Sequence, residues 1–337
     1  MTAFAAPADF EAALTNLPAP DPEARAAAAA RQAVLTKPPG SLGRLEEIAL
    51  FMAGWQARAR PRLDQARAVI FAGNHGIAAR GVSAFPASVT AQMVRNFETG
   101  GAAINALAAA AGLDLRIVAL DLDRPTADFT TAPAMDATDC LAALNEGAAM
   151  VDPALDLFVP GEMGIANSTA AAALCAAAFG GDTAGWVGPG TGVHGAALAA
   201  KTALIDTALA RHRPHATSAF ELLRRLGGRE IAAIAGAIVT ARQARVPVLL
   251  DGYICGAALA PLAAFHPGIV DHCIAGHCSA EPGHARLLAH LGLSPLLTLD
   301  MRLGEGSGAA VASGIVRAAL AAHDGMATFA EAGVSAG

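Results

Sequence analysis

An alternation along the chain constrains its fold more than any other feature. Short apolar runs at 68–73, 115–120, 155–159, 247–250, 273–275 and 295–299 are separated by Ala-rich stretches at 88–97, 102–111, 168–179, 196–211, 229–244 and 280–290. The apolar runs are too brief for ordinary helices and suit strands buried on both faces. The Ala-rich stretches have helical length. Parallel neighbours in a sheet need a crossover, usually a helix, so this order predicts a parallel sheet covered on both sides. The expected fold class is α/β, a Rossmann-like three-layer sandwich with a mostly parallel sheet. Up to about Trp55 the chain reads as helical instead. Asp21-Pro22-Glu23 is a helix start, Lys37-Pro38-Pro39-Gly40 a break, and 45–49 a second helix. A last helix is expected at 307–322, with a fraying tail at 333–337.

Loops at the carboxyl ends of parallel strands carry function in such folds. Here they hold the glycines: Gly73-Asn74-His75-Gly76 after the first run, Pro160-Gly161-Glu162-Met163-Gly164 after the third, and Asp251-Gly252-Tyr253 after the fourth. Met301-Arg302-Leu303-Gly304-Glu305-Gly306-Ser307-Gly308 follows the sixth. Glu305 stands out as a carboxylate between two glycines that let a ligand come close. It reads as a general base whose pKa partial burial would raise, or equally as a helix-start acid. Glu162 precedes Asn167-Ser168-Thr169, which reads as the cap of a buried helix whose N-terminus suits an anion. Gly188-Pro189-Gly190-Thr191-Gly192, after a strand candidate at 186–187, lacks the full dinucleotide spacing and gives only weak support to a nicotinamide-dependent oxidoreductase. Lys201, the only lysine after Lys37, is suited to phosphate or is simply a solvated helix residue. Asn74-His75 reads as an ordered turn more readily than as a base.

Composition excludes several classes. The chain is 54% hydrophobic and 15% charged, the reverse of a disordered chain. With a net charge of −6 and only Arg211-His212-Arg213 as a basic cluster, it lacks the footprint of a nucleic-acid binder. Five irregularly spaced cysteines make no disulfide framework and fit a reducing cytoplasm. His272, Cys273, His277, Cys278 and His284 match no zinc spacing. Residues 1–25 show no signal-peptide pattern, and the uncharged 163–181 segment reads as a buried helix rather than a membrane span.

Taken in order, these segments resemble the family of nicotinate-nucleotide:dimethylbenzimidazole phosphoribosyltransferases of cobalamin assembly. The matching stretches are Thr36-Lys37-Pro38-Pro39-Gly40-Ser41-Leu42-Gly43-Arg44, Gly73-Asn74-His75-Gly76, Gly81-Val82-Ser83-Ala84-Phe85-Pro86, Gly161-Glu162-Met163-Gly164-Ile165, Asp251-Gly252-Tyr253-Ile254 and Met301 to Gly308. The resemblance implies transfer of the 5-phosphoribosyl group from nicotinate mononucleotide to 5,6-dimethylbenzimidazole, with inversion at the anomeric carbon and loss of nicotinate. It implies Glu305 as the base and Glu162 as a second catalytic residue. Ser83, Phe85 and Gln92 would lie at the aromatic base, with Leu303 also binding substrate. Glu162, Met163 and Gly164 would flank the ribose and ring. Lys201, Gly164 and Ser279 would hold the phosphate, and Asp251 would orient the sugar or a loop. It further implies a homodimer without metal or organic cofactor, and a small helical domain built from 1–60 and 306–337 beside a catalytic domain at 61–305. Two departures stand out: Asn74 where many relatives carry Asp, and Ala166 and Ser168 where Gly and Thr are commoner.

Overall fold

The structure is a computed structural model that describes residues 4–335. Its strands are β1 (Ala66–Ala72), β2 (Asp114–Ala119), β3 (Leu157–Met163), β4 (Val248–Leu250) and β5 (Cys273–Ala275). The helices are α1 (Pro7–Thr15), α2 (Pro22–Val34), α3 (Arg44–Gln56), α4 (Ser88–Glu98), α5 (Ala103–Ala111), α6 (Ala137–Ala149) and α7 (Asn167–Phe179). They continue with α8 (Ala196–His212), α9 (Ala219–Leu226), α10 (Arg229–Gln243), α11 (Tyr253–Phe265), α12 (Pro282–Leu291), α13 (Ser307–Gly325) and α14 (Phe329–Ala332). The five strands pair in the order β2-β1-β3-β4-β5, and every pairing is parallel. The α/β class expected from the alternation is the class observed.

Successive strand residues point to opposite faces, so each strand feeds two cores. Val69, Phe71, Phe158, Val248 and Leu250 pack with the apolar faces of α6, α7, α10 and α11. Ala68, Ile70, Val159, Leu249 and Ile274 pack with α3, α5 and α13 on the other side. Fully buried Phe71 and Phe158 each contribute about 1.5–3 kcal/mol by leaving water. Small residues let the helical layer close tightly. A Cβ on Gly236 of α10 would collide with the Leu144 carbonyl oxygen of α6, so the two backbones touch there.

The structure corrects several sequence expectations. The run at 295–299 is reduced to a single parallel bridge, His277 with Leu297, because β5 ends at Ala275 and gives it no longer partner. The strand candidate at 186–187 is the end of a 3-10 turn, Thr183–Trp186. Helices α6, α9 and α11 were not foreseen; α11 is apolar all round and carries Pro261, which hides its period. The third strand continues to Met163, so Glu162 lies in β3 and not in the loop beyond it. Helix α7 has no side-chain cap: its N-cap is Ala166 in the left-handed region, and Asn167 and Ser168 serve other partners. Of the tail, 336 and 337 lie outside the described residues, while Gly333 caps α14 and the Val334 amide donates to the Phe329 carbonyl at 3.1 Å. Among the described residues, no helix is long and apolar enough to cross a membrane.

Candidate active site

The carboxyl ends of β3, β4 and β5 surround a cavity of about 280 Å³, near the lower end of the range for small-molecule sites, roughly 300–1,000 Å³. Glu162, Met163 and Gly164 enter its wall from β3, Gly252 and Tyr253 from the β4 end, and His277 and Ser279 from the β5 end. Phe85 and Leu303 complete the wall from two separate loops. They are 53% and 55% exposed, large apolar side chains left facing a cavity. A flat apolar ligand would cover them.

One end of the cavity suits an anion. Ser168 and Gly190 line it, and the Lys201 ammonium lies directly behind them. Its Nζ donates to Ser168 Oγ at 2.9 Å and to the Gly188 carbonyl at 3.0 Å. Lys201 is fully buried, and burial lowers its pKa to about 8 against the opposing pull of Glu281. Ser279 is fixed from behind: its amide donates to His284 Nδ1 at 2.8 Å, and its hydroxyl lies 2.9 Å from the same nitrogen. Burial holds His284 down at about 3, so the ring is neutral and that nitrogen is free to accept.

Carboxyl groups also stand at the cavity, among them Glu281, which accepts from the Gly190 amide at 3.0 Å. Glu162 is buried and accepts from Asn167 Nδ2. Burial raises it to about 8, partly offset by that hydrogen bond, with Asp251, Glu230 and Glu305 adding repulsion. Glu305 sits one residue behind the wall residue Gly304, 5% exposed, with its Oε2 unpartnered. Burial raises it to about 7, with the Asp251 charge adding to the rise. The turn that carries Glu305 rests on β3. A Cβ on Gly161 would lie 2.8 Å from the Gly306 nitrogen and 2.9 Å from the Glu305 carbonyl carbon. Glycine at 161 is what lets the 304–306 turn settle on the strand. Both carboxyl groups are raised toward neutrality, a range suited to passing a proton.

The residues singled out from the sequence thus fall into three groups. Phe85, Glu162, Met163, Gly164, Ser279 and Leu303 are on the wall. Glu305 and Lys201 stand just behind it, and Ser83 is at the rim, its Oγ 2.8 Å from Oγ1 of the wall residue Thr191. Gln92 is not brought in: it is exposed on α4. Asp251 is not on the wall either; its carboxylate is buried against backbone amides of α13. The Asn74-His75 loop forms an ordered turn, with His75 Nε2 2.5 Å from Glu230 Oε1 and Asn74 Nδ2 donating to the Leu122 carbonyl. Sequence reasoning missed Tyr253, Glu281 and Arg302 on the wall, and took His277 only as a weak metal candidate. Glu281 follows closely on Ser279, a spacing too common to single it out. Arg302 lay inside a motif already quoted, where its charge facing a pocket was the available signal. No group of three or more His, Cys, Asp or Glu among the described residues is arranged to hold a metal ion.

Comparison with known proteins bears on the whole chain. A family model described as Phosphoribosyltransferase matches residues 17–334. The chain is 68% identical over 337 residues, covering all of both chains, to a Novosphingobium aromaticivorans protein named nicotinate-nucleotide–dimethylbenzimidazole phosphoribosyltransferase. It is 58% identical over 330 residues, 98% of each, to a protein of that name from Ruegeria pomeroyi. Among solved structures, the crystal structure of CobT from Thermus thermophilus superposes with a TM-score of 0.88 at 42% identity, covering 94% of this chain and 100% of that one.

Proposed function

This chain belongs to the nicotinate-nucleotide–dimethylbenzimidazole phosphoribosyltransferase family, and from that premise we propose that it moves the 5-phosphoribosyl group of nicotinate mononucleotide onto 5,6-dimethylbenzimidazole. The products are α-ribazole 5'-phosphate and nicotinate. The observation that carries the reading is the union, around one cavity, of an apolar slot, an anion shelf and two carboxyl groups raised toward neutrality.

The chemistry matches that layout. The bond from the anomeric carbon to the pyridinium nitrogen breaks, and its electron pair neutralises the ring, so nicotinate leaves without an acid. A benzimidazole nitrogen attacks the opposite face of the same carbon. Its other ring nitrogen sheds a proton, which Glu305 takes. Support for Glu305 as base is its unpartnered oxygen and a pKa of about 7, which leaves much of it ionised at neutral pH. Glu162, raised to about 8, is mainly protonated there and donates to the ribose. Phe85 and Leu303 sandwich the bicyclic ring, with Met163 beside it and Ser83 near its outer edge. The phosphate sits at Gly164, Ser168, Ser279 and Gly190, where Lys201 supplies a positive charge from behind. The family background supports a homodimer acting in the cytoplasm with no organic cofactor. It also supports a small helical domain from 1–60 and 306–337, in keeping with the packing of α13 on α3.

The test is direct. Purified protein incubated with both substrates should release nicotinate and form a product with the mass of α-ribazole phosphate. Glu305→Gln should lower kcat/KM about 10²-fold or more while leaving the fold intact. Tight NAD binding without nicotinate release would point instead to an oxidoreductase, and binding of both substrates without product to a carrier.

A further inference from the structure

Glu305 stands in a strained turn. Gly304, Glu305 and Gly306 have φ values of 83°, 63° and 79° in succession. For Glu305 the left-handed region costs about 1–2 kcal/mol, so something must hold the turn. The helix that follows cannot do so with its own residues, because the N-cap of α13 is Gly306, which has no side chain. The cap comes from elsewhere in the chain. Asp251, just beyond β4, accepts from the Gly306 amide at 3.1 Å through Oδ2 and from the Ala309 amide at 2.9 Å through Oδ1. Behind it, His277 Nε2 lies 3.5 Å from Asp251 Oδ1. The His277 ring presses on the first turn of α13 so closely that a Cβ on Gly308 would collide with it.

Resting on the reading of Glu305 as base, we propose that Asp251 is a positioning residue: as the cap of α13 supplied from β4, it holds the 304–306 turn and so sets where the Glu305 carboxyl stands, with His277 as its polar partner. Its two oxygens are already engaged and the side chain is 1% exposed, so substrate contact is not its task. The charged and titratable groups around Glu305 are Asp251 after β4, Glu162 in β3 with Glu230 of α10 beyond it, His277 after β5, and Arg302 on its own loop. Burial does most to lift the Glu305 carboxyl, and of these groups Asp251 is the one whose charge adds to the rise; burial also raises the Asp251 carboxyl, opposed by His277 and by the amides it caps. Loss of that charge therefore makes Glu305 easier to ionise and a weaker base.

The experiment is Asp251→Asn in the full chain, with kcat, both KM values and the pH profile of kcat/KM for the benzimidazole. The expected result is a folded protein whose kcat falls tenfold or more. Its KM for nicotinate mononucleotide should stay within about threefold, and the acid limb of the profile should move to lower pH by half a unit or more. Asp251→Glu should restore the charge but not the reach, so its acid limb stays with the wild type while its kcat remains low. If Asp251→Asn does not fold, Asp251→Ser, smaller and still an acceptor, is read for the same shift of the limb. An unmoved limb with kcat within twofold overturns the proposal, and so does a KM for the nucleotide that rises as much as kcat falls. Glu305→Gln is run alongside. If it is active, the base assignment itself fails. If it is inactive while Asp251→Asn behaves as wild type, only the positioning role fails.

Discussion

Replacing Lys201 by methionine separates what this residue costs the fold from what it supplies to the site. The two side chains are of similar length, so the main change is the loss of the amine. Burial lowers the Lys201 pKa from 10.5 to about 8. Each tenfold in ionisation is worth about 1.4 kcal/mol, so keeping the amine charged at neutral pH costs the fold about 3 kcal/mol. Its hydrogen bonds to Ser168 Oγ and the Gly188 carbonyl return a similar amount, at about 1.5 kcal/mol each. The variant should therefore match the wild type in stability at pH 7 to within about 1 kcal/mol. The pH dependence carries the sign. The folded pKa lies below the unfolded one, so between about 8 and 10.5 the unfolded chain holds a proton that the folded chain has lost. Stability from this group therefore rises with pH in that window. Urea unfolding of both proteins at pH 7, 9 and 10 should show the wild type gaining on the variant by about 1.4 kcal/mol at pH 9 and about 2.5 kcal/mol at pH 10. A difference flat across that range would refute the buried, depressed amine. In the same preparations, kcat/KM for the nucleotide should fall at least 10²-fold, because a dianionic phosphate would lose its one buried cation. Unchanged nucleotide kinetics would remove Lys201 from the phosphate shelf.

Truncating the slot should affect one substrate only. Phe85→Ala and Leu303→Ala should each raise KM for dimethylbenzimidazole about tenfold, from about 1.4 kcal/mol of lost apolar contact, and leave KM for the nucleotide within threefold; an equal rise in both would show that the slot does not hold the base. Gly236→Val should cost about 3 kcal/mol in urea unfolding, because its Cβ would start inside the Leu144 carbonyl oxygen's contact radius and force α6 and α10 apart; a loss under 1 kcal/mol would mean that the layer is looser than the close approach implies.

The α/β class was legible because its signal is periodic and local. The runs at 68–73 and 115–120 match β1 and β2 to within two residues, and six Ala-rich stretches match six helices. Legibility failed where tertiary context outweighs pattern. Tyr253–Phe265 has no polar face to mark it as a helix, since it is buried along nearly all its length and only its last two residues are exposed. The cap read at Asn167-Ser168-Thr169 is a second case. Those side chains have the right chemistry for a helix start, but Glu162 and Lys201 are stronger partners, and a left-handed Ala166 turns the chain instead. Glu305 could be picked out because glycines on both sides of an acid are unusual. His277, Glu281 and Arg302 could not, because each gains meaning only from neighbours that the fold brings from far along the chain.

The cavity has a cause of its own, and it lies in β3. That strand pairs with β1 along its whole length, from Leu157 to Met163, but meets β4 only at Phe158 with Val248. Pro160 comes two residues later. It has no amide to offer a neighbour, and a proline is poorly tolerated in a strand paired on both sides. On the unpaired side the first turn of α11 stands where more of β4 would have run, and the Cys255 thiol donates to the Pro160 carbonyl at 3.4 Å. The strand thus goes on alone beside β1, carrying Glu162 to the edge of a gap, and the 304–306 turn settles into that gap over Gly161. A sheet paired to the end at this point would have taken the place where the 304–306 turn rests. Glu162 reaches the cavity and the 304–306 turn finds its seat because the sheet stops pairing early, so the site depends on a proline and a glycine that take no part in its chemistry.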